Sequence, residues 1–349
     1  MIKTTIKAIL INFLILFSFI LIIEIFFGYW FDKDNLGPFM REHRMKNQRI
    51  EYLSNGVKEV YFYRRNYYGF RGNDIEPSEI KAIMMGGSNV EQRYEPEKYT
   101  IVGFLNSNLK SDNIDYTIVN AGVEAQSTRG MILGFENWLF KLKGFSPEMI
   151  IFYVGITDNR IDEDDDFNKK ISEGNLLNKN RIEQIKDNIK SRSIILDSIR
   201  IFKFKFLPRK GFIKYDGNQD PSLKKNFNYK DYEQASKEYN LSELKERLNI
   251  KIKNYLMRID KLQELSSQLN SKAVFITNLS ASGYSKVGIT LNNALIDHCK
   301  KKNYFCFDVA RKLDANINYW KDGVHTTSVG SKAIADLIYY DLKKIIINR

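Results

Sequence analysis

In the stretch IMMGGSNVEQ at 83–92, an apolar run stops at two glycines and is followed at once by a serine, Ser88. A serine at the mouth of a helix is commonly an N-cap. It is also where a nucleophile finds open space, since the two preceding side chains are only hydrogen atoms. A serine hydroxyl attacks poorly until a base takes its proton, and that base is held in the useful tautomer by a carboxylate. The stretch DGVH at 322–325 supplies both groups. Asp322 and His325 are three apart, so one helical turn or tight loop brings them to the same side. Together the three residues favour acyl transfer over a simple cap. The oxyanion of that chemistry needs donors, and the backbone N–H groups of Ser88 and Gly122 stand beside glycines that let a substrate approach. A helix after Ser88 adds the positive end of its dipole.

Such a set works only if the chain brings residues more than two hundred apart to one place. From residue 80, short apolar runs alternate with amphipathic segments. Strands are expected at 80–85, 116–120, 149–154, 272–277 and 304–309, and helices at 100–109, 129–142, 241–269, 291–302 and 329–346. Strands alternating with helices predict an α/β fold, a three-layer α/β/α domain with a mainly parallel, flavodoxin-like sheet. In such sheets ligands bind outside the carboxyl ends of the strands. Ser88, the NAG at 120–122, the GITDN at 155–159 and the DGVH before the last helix all fall there. Asn278 reads as a strand-end turn residue. Between about 160 and 239 the alternation lapses into an insertion that opens with the acidic IDEDDDF and carries an apolar patch at 194–207. It reads either as a helical excursion solvating one edge or as a lid over the site.

The chain of 349 residues is 43% apolar, enough for a sizeable core, and carries a net charge of +12. Its basic residues are dispersed, with no zinc-ligand spacing or aromatic RNA-binding signature, so no nucleic-acid partner is expected. No metal site or cofactor is expected from His43, His298 and His325. Cys299 and Cys306 pair in an oxidising compartment or remain buried thiols. Residues 8–31 contain one charge, Glu24, and are long enough to cross a bilayer as a helix, with Tyr29 and Trp30 in the position of an aromatic belt. Lys3 and Lys7 precede it, while Asp32, Lys33 and Asp34 follow, which predicts the N-terminus inside and the body of the protein outside the cytoplasm. The organisation expected is a membrane anchor at 1–31, a connector at 32–78 and a catalytic domain at 79–349.

The ordered blocks resemble those of the SGNH hydrolases, the GDSL-type esterases and lipases. GGSN at 86–89 is similar to the first block, with Gly87 where many members have Asp. NAG at 120–122 is similar to the second and DGVH at 322–325 to the last, and NYYGFRG at 66–72 resembles membrane-anchored bacterial members. The resemblance spans roughly 60–345. It implies Ser88, His325 and Asp322 as nucleophile, base and orienting carboxylate, and Ser88 and Gly122 as oxyanion donors. The third block departs from the family's Gly-x-Asn-Asp. Here it reads Gly155-Ile156-Thr157-Asp158, with Asn159 two places beyond the expected asparagine, so either the Thr157 hydroxyl or Asn159 is the remaining donor.

The reading is a membrane-tethered serine esterase or acyltransferase acting on O-acyl groups, acetyl foremost, of an envelope or exported polysaccharide. The glycan follows from resemblance and location. The alternative is a non-catalytic relative that binds glycan or assembles with envelope biosynthetic proteins. Arg65, Arg71 and Arg160 are solvated arginines or ligands for a carboxylate or phosphate of the substrate.

Overall fold

The computed structural model describes residues 2–31, 47–54, 56–66, 68–161, 181–196, 198–199 and 213–347. The chain divides into two units, residues 1–42 with 177–211, and residues 43–176 with 212–349. In the first, helix α1 (Ile2–Phe27) is apolar along nearly its whole length, and from Thr5 to Phe27 it is long and apolar enough to cross a membrane. Its companion in the same unit is a polar helix at Arg181–Arg192.

The second unit opens with a hairpin, β1 (Asn47–Ser54) and β2 (Val57–Arg64), paired Ile50 to Tyr61 and Tyr52 to Glu59. The main sheet begins at β3 (Ala82–Met85), which leads into a single-turn helix α2 (Ser88–Glu91) and then α3 (Ile101–Ser111). Next come β4 (Ile118–Asn120), α4 (Thr128–Asn137) and β5 (Met149–Val154). The polar helix of the first unit is α5, after which β6 (Ile213–Asp216), α6 (Pro221–Asn226), α7 (Tyr232–Glu238), α8 (Leu241–Arg247) and α9 (Asn249–Gln268) return to the second. The chain closes with β7 (Lys272–Thr277), α10 (Lys286–Lys302), β8 (Phe305–Phe307), α11 (Val309–Lys312) and α12 (Ser328–Ile347).

The five-stranded sheet has the order β4-β3-β5-β7-β8, parallel throughout. Strands β3, β4 and β5 are buried along their whole length and β7 from Ala273 onward, as parallel strands between helical layers must be, while the edge strand β8 buries Phe307. On one face Met84, Ile151 and Val274 meet Ile101 and Leu105 of α3 and Ile334 and Ile338 of α12. On the other, Phe152 stacks on Phe275 at 5.2 Å and reaches Phe135 of α4, with α9 and α10 completing the layer. This is the three-layer α/β/α fold expected from the alternation. The five strands lie where the apolar runs put them, and the long helical pattern at 241–269 is broken at Leu248 into α8 and α9.

The connector differs from the sequence reading, which assigns it no strands. Its inward residues Ile50, Tyr52 and Tyr63 are buried while Arg49, Lys58 and Arg64 point outward together with Leu53, Val60 and Phe62, and Gly56, at φ 76°, lies where the hairpin turns. Part of the insertion adds to the same small sheet, since β6 runs parallel to β1 with Tyr215 opposite Tyr52. The acidic run at 162–167 and residues 200–207 of the apolar patch lie outside the described residues.

Cys299 on α10 and Cys306 on β8 form a disulfide, resolving the two sequence alternatives. Closing so short a loop restricts the unfolded chain by about 2–3 kcal/mol. Reduction, or the double change Cys299→Ser with Cys306→Ser, is expected to lower the unfolding free energy by about that amount in urea titrations and to leave the circular dichroism of the native state unchanged.

Candidate active site

Ser88 is the first residue of α2, reached from β3 through Gly86 and Gly87. A Cβ on Gly87 would lie 3.1 Å from the Thr157 hydroxyl and 3.2 Å from the Gln126 carbonyl, so these two groups crowd the position where relatives of the resembled family carry Asp. Being first in the helix, the Ser88 N–H has no carbonyl of its own turn to donate to.

His325 approaches from the loop before α12. Its Nε2 lies 2.9 Å from Ser88 Oγ and its Nδ1 2.8 Å from Asp322 Oδ2. The second oxygen of Asp322 accepts the backbone N–H groups of Val324 and His325, each at 2.8 Å, which folds the loop around the carboxylate. Burial pushes the Asp322 carboxyl up, but the His325 ring and these N–H groups outweigh it and hold the group down at about 2. The loop is fastened from three sides: Lys321 N–H donates to the His325 carbonyl, Ala281 N–H to Gly323, and Asp220 N–H to Lys321.

A helix of four residues has no stability of its own, and α2 is held from outside. The Arg71 guanidinium, buried, donates to the carbonyls of Glu91 and Gln92, orphan acceptors at the end of that turn, and to the Glu95 carbonyl in the loop beyond. Arg65, also buried, donates from Nη2 to Gly122 O at 2.5 Å and pairs with Glu91 Oε1 at 3.1 Å, while its Nε meets Tyr63 at 2.8 Å. Burial raises the Glu91 carboxyl, but Arg65, the Tyr63 hydroxyl and Arg93 bring it down to about 2. Arg65 and Arg71 are therefore neither solvated nor free for a substrate. They are internal clamps, and the NYYGFRG phrase marks this scaffold. The side chain of Arg160 lies outside the described residues. Gln92, left-handed at φ 42°, joins the two halves of the site by donating to Ser331 at 2.7 Å and Thr326 at 3.3 Å, next to His325, and accepting from Ile101 N–H.

The expected oxyanion donors are placed unequally. Gly122 N–H donates to Asn120 Oδ1 at 3.0 Å and is thereby committed. What position 122 needs is the absence of a side chain, because a Cβ there would lie 2.2 Å from Glu91 N. The loop beyond it turns back toward the serine, with Val123 N–H on the Gly86 carbonyl and Ala125 held at φ 59°. That conformation disfavours alanine by roughly 1–2 kcal/mol. Thr157 Oγ1 stands by Gly87, whereas Asn159 Nδ2 points to α10, 3.6 Å from the place of a Cβ on Gly288. Of the two alternatives in the third block, Thr157 is the one whose hydroxyl lies next to Gly87, the residue before Ser88. Asp158 is buried beneath, accepting from the Thr128 hydroxyl at 2.6 Å and lying 3.8 Å from Arg258. Asn278 is buried at the end of β7, where its carbonyl accepts from Asn292 at 3.0 Å.

One neighbour of the triad had no signal in the sequence. Lys321, adjacent to Asp322, buries its ammonium 3.3 Å from the centre of the Tyr215 ring and 4.0 Å from Glu95. Tyr94 stacks on Tyr215 at 4.6 Å, and Tyr52 hydrogen-bonds Glu95. Burial pushes Glu95 up to about 7 against the pull of Lys321, and pushes Lys321 down to about 8. Among the described residues no group of three or more His, Cys, Asp or Glu is placed to hold a metal ion.

No family model and no curated protein matches this sequence. Solved structures do. A psychrotrophic esterase from Pseudoalteromonas sp. is 10% identical over 77% of this chain and 100% of its own, with a TM-score of 0.43. An acetyl-xylooligosaccharide esterase from Geobacillus Stearmophilus is 11% identical over 77% and 95%, with a TM-score of 0.43. A GDSL-like lipase from Bacteroides thetaiotaomicron is 14% identical over 76% and 87%, with a TM-score of 0.38.

Folded Glu95 releases its proton near pH 7, whereas the unfolded side chain does so near 4.5. Between those values the native state holds the extra proton, so stability falls as pH rises through the window. Glu95→Gln removes this contribution. Urea midpoints are expected to decline from pH 4.5 to 7 more steeply in the wild type than in the variant.

Proposed function

We propose that the chain is a serine-dependent ester hydrolase of the SGNH type, anchored in a membrane by α1, with its catalytic domain outside the cytoplasm. The observation that carries this reading is the continuous chain of hydrogen bonds from Ser88 through His325 to Asp322 at the carboxyl edge of the sheet. In the proposed reaction His325 Nε2 takes the Ser88 proton as Oγ bonds to the acyl carbon. The oxyanion is met by the Ser88 N–H and the Thr157 hydroxyl. His325 then returns the proton to the departing alcohol oxygen, leaving an acyl group on Ser88. A water, deprotonated by the same imidazole, attacks that ester and releases the acid. Asp322 stays ionised throughout and stabilises the imidazolium by holding Nδ1–H.

Support for the location comes from α1 and from the Cys299–Cys306 disulfide, a bond characteristic of oxidising compartments. For the substrate we propose O-acyl groups, acetyl foremost, on an envelope or exported polysaccharide. The half-exposed Asp322 and His325 fit a bulky ester carrier that reaches the nucleophile from solvent. Delivery of the acyl group to a glycan hydroxyl instead of water uses the same residues.

Full-length protein treated with a fluorophosphonate probe is expected to be labelled, with labelling abolished in Ser88→Ala and in His325→Ala. Absence of labelling in folded wild type overturns the catalytic reading and leaves a glycan-binding relative. With a 4-nitrophenyl acetate substrate, Asp322→Asn is expected to lower kcat by about 10⁴-fold. Thr157→Val is expected to lower it by about 10²-fold with little change in KM, as loss of a transition-state donor requires. A Thr157→Val enzyme with unchanged kcat removes the hydroxyl from the oxyanion site.

A further inference from the structure

The polar helix α5 has an exposed apolar edge. Ile182, Ile185 and Ile189, spaced three and four apart, form one stripe and are 65%, 50% and 44% exposed. Helix α5 carries Arg181, Lys186, Lys190 and Arg192 against Glu183 and Asp187, a basic excess. The carboxyl end of α5 is tied to one level of α1. Tyr29 N–H donates to the Arg192 carbonyl at 2.8 Å, and Arg192 Nη1 donates to the Trp30 carbonyl at 2.5 Å. Glu24, the single charge of the apolar segment, accepts from the Ser193 hydroxyl at 2.5 Å, the Ile195 N–H at 3.2 Å, the Ile194 N–H at 3.3 Å and the Trp30 indole at 2.9 Å. An acidic side chain that enters a bilayer needs such partners, and here they come from the segment that follows α5. Leu196 and Ile199 continue the exposed apolar surface beyond them.

We propose that α5 lies on the membrane surface where α1 emerges, with Ile182, Ile185 and Ile189 in the headgroup–acyl boundary and its basic side chains among anionic headgroups. The inference rests on the reading of α1 as a membrane span, and on nothing in the esterase reading. Three observations point to lipid as the occupant. The helix end is bound at the level of Tyr29 and Trp30, the aromatic pair of an interface. The helix sequence interleaves the apolar stripe with cations, Lys186 and Lys190 following Ile185 and Ile189. The bonds of Glu24 make α5 continuous with the segment that enters the bilayer.

The test uses full-length protein in phosphatidylcholine–phosphatidylglycerol vesicles, with an environment-sensitive fluorophore on single introduced cysteines at Ile182, Ile185 and Ile189, the native pair being disulfide-bonded. Labels at Leu16 in α1 and at the fully exposed Asp115 serve as references. Phosphatidylcholine bearing a nitroxide near the headgroup is expected to quench the three α5 labels several-fold more than the Asp115 label, and iodide in the buffer to quench them less. Nitroxide deep in the acyl chain is expected to quench Leu16 most. If the α5 labels behave like Asp115 while Leu16 is quenched by lipid, α5 stands in water and the proposal falls although the anchor survives. If Leu16 is not quenched, the span reading fails and this proposal with it. Labels at α5 shielded from both lipid nitroxide and iodide mean that protein covers the stripe, which also overturns the proposal.

Discussion

Everything at the candidate site depends on two buried guanidinium groups holding one turn of helix. Helix α2 is too short to persist alone, and the residue it presents must be placed to a fraction of an ångström to meet His325. Arg71 saturates the carbonyls at the end of the turn, and Arg65 binds both Glu91 in the turn and the Gly122 carbonyl in the adjoining loop. Charges taken out of water are tolerated only when they are paired; removing one partner of a buried pair commonly destabilises by about 3–5 kcal/mol. The arrangement ties the serine to the connector hairpin through Tyr63, which reaches both Arg65 and Glu91. A segment that looks like a spacer between an anchor and a domain is thus part of the machinery.

The small sheet repeats this logic on the histidine side. Its inner strand β1 supplies Tyr52, its edge strand β6 supplies Tyr215, and the two close around Glu95 and Lys321. Lys321 is the residue before Asp322, and its N–H closes the loop on the His325 carbonyl. Serine and histidine therefore lean on one accessory structure, built half from the connector and half from the insertion. Gln92 adds a direct polar link between them.

The sequence was most informative where one residue type had one use. Five apolar runs ending in Gly, Asn, Asp or Ser reported the parallel sheet, because strands buried on both faces have no polar side to dilute the signal. Ser88, Asp322 and His325 were legible because their combination is rare without chemistry. The accessory sheet was obscured because its strands alternate Tyr and Ile with charged residues, although the Asn-Gly turn was there to be read. Arg65 and Arg71 were misread because burial of a guanidinium is decided by tertiary partners, here chiefly backbone carbonyls, which leave no trace in composition. Gly122 was read as an oxyanion donor, whereas its N–H donates to Asn120 and its place against α2 leaves no room for a side chain. The strained Ala125 had no signal at all, since a left-handed alanine is a property of the fold.

The partnership of Ser88 and His325 spans 237 residues of chain, and this separation sets an order of events during biosynthesis. When Ser88 emerges its base has not yet been made, and neither has β6, the strand that steadies the small sheet. The hydroxyl therefore passes through synthesis as an ordinary alcohol, and its meeting with the imidazole coincides with near-completion of the domain. Prematurely terminated chains that end before the DGVH loop carry the serine without its base. The distance between the two blocks thus confines the proposed catalytic centre to molecules whose domain is nearly complete.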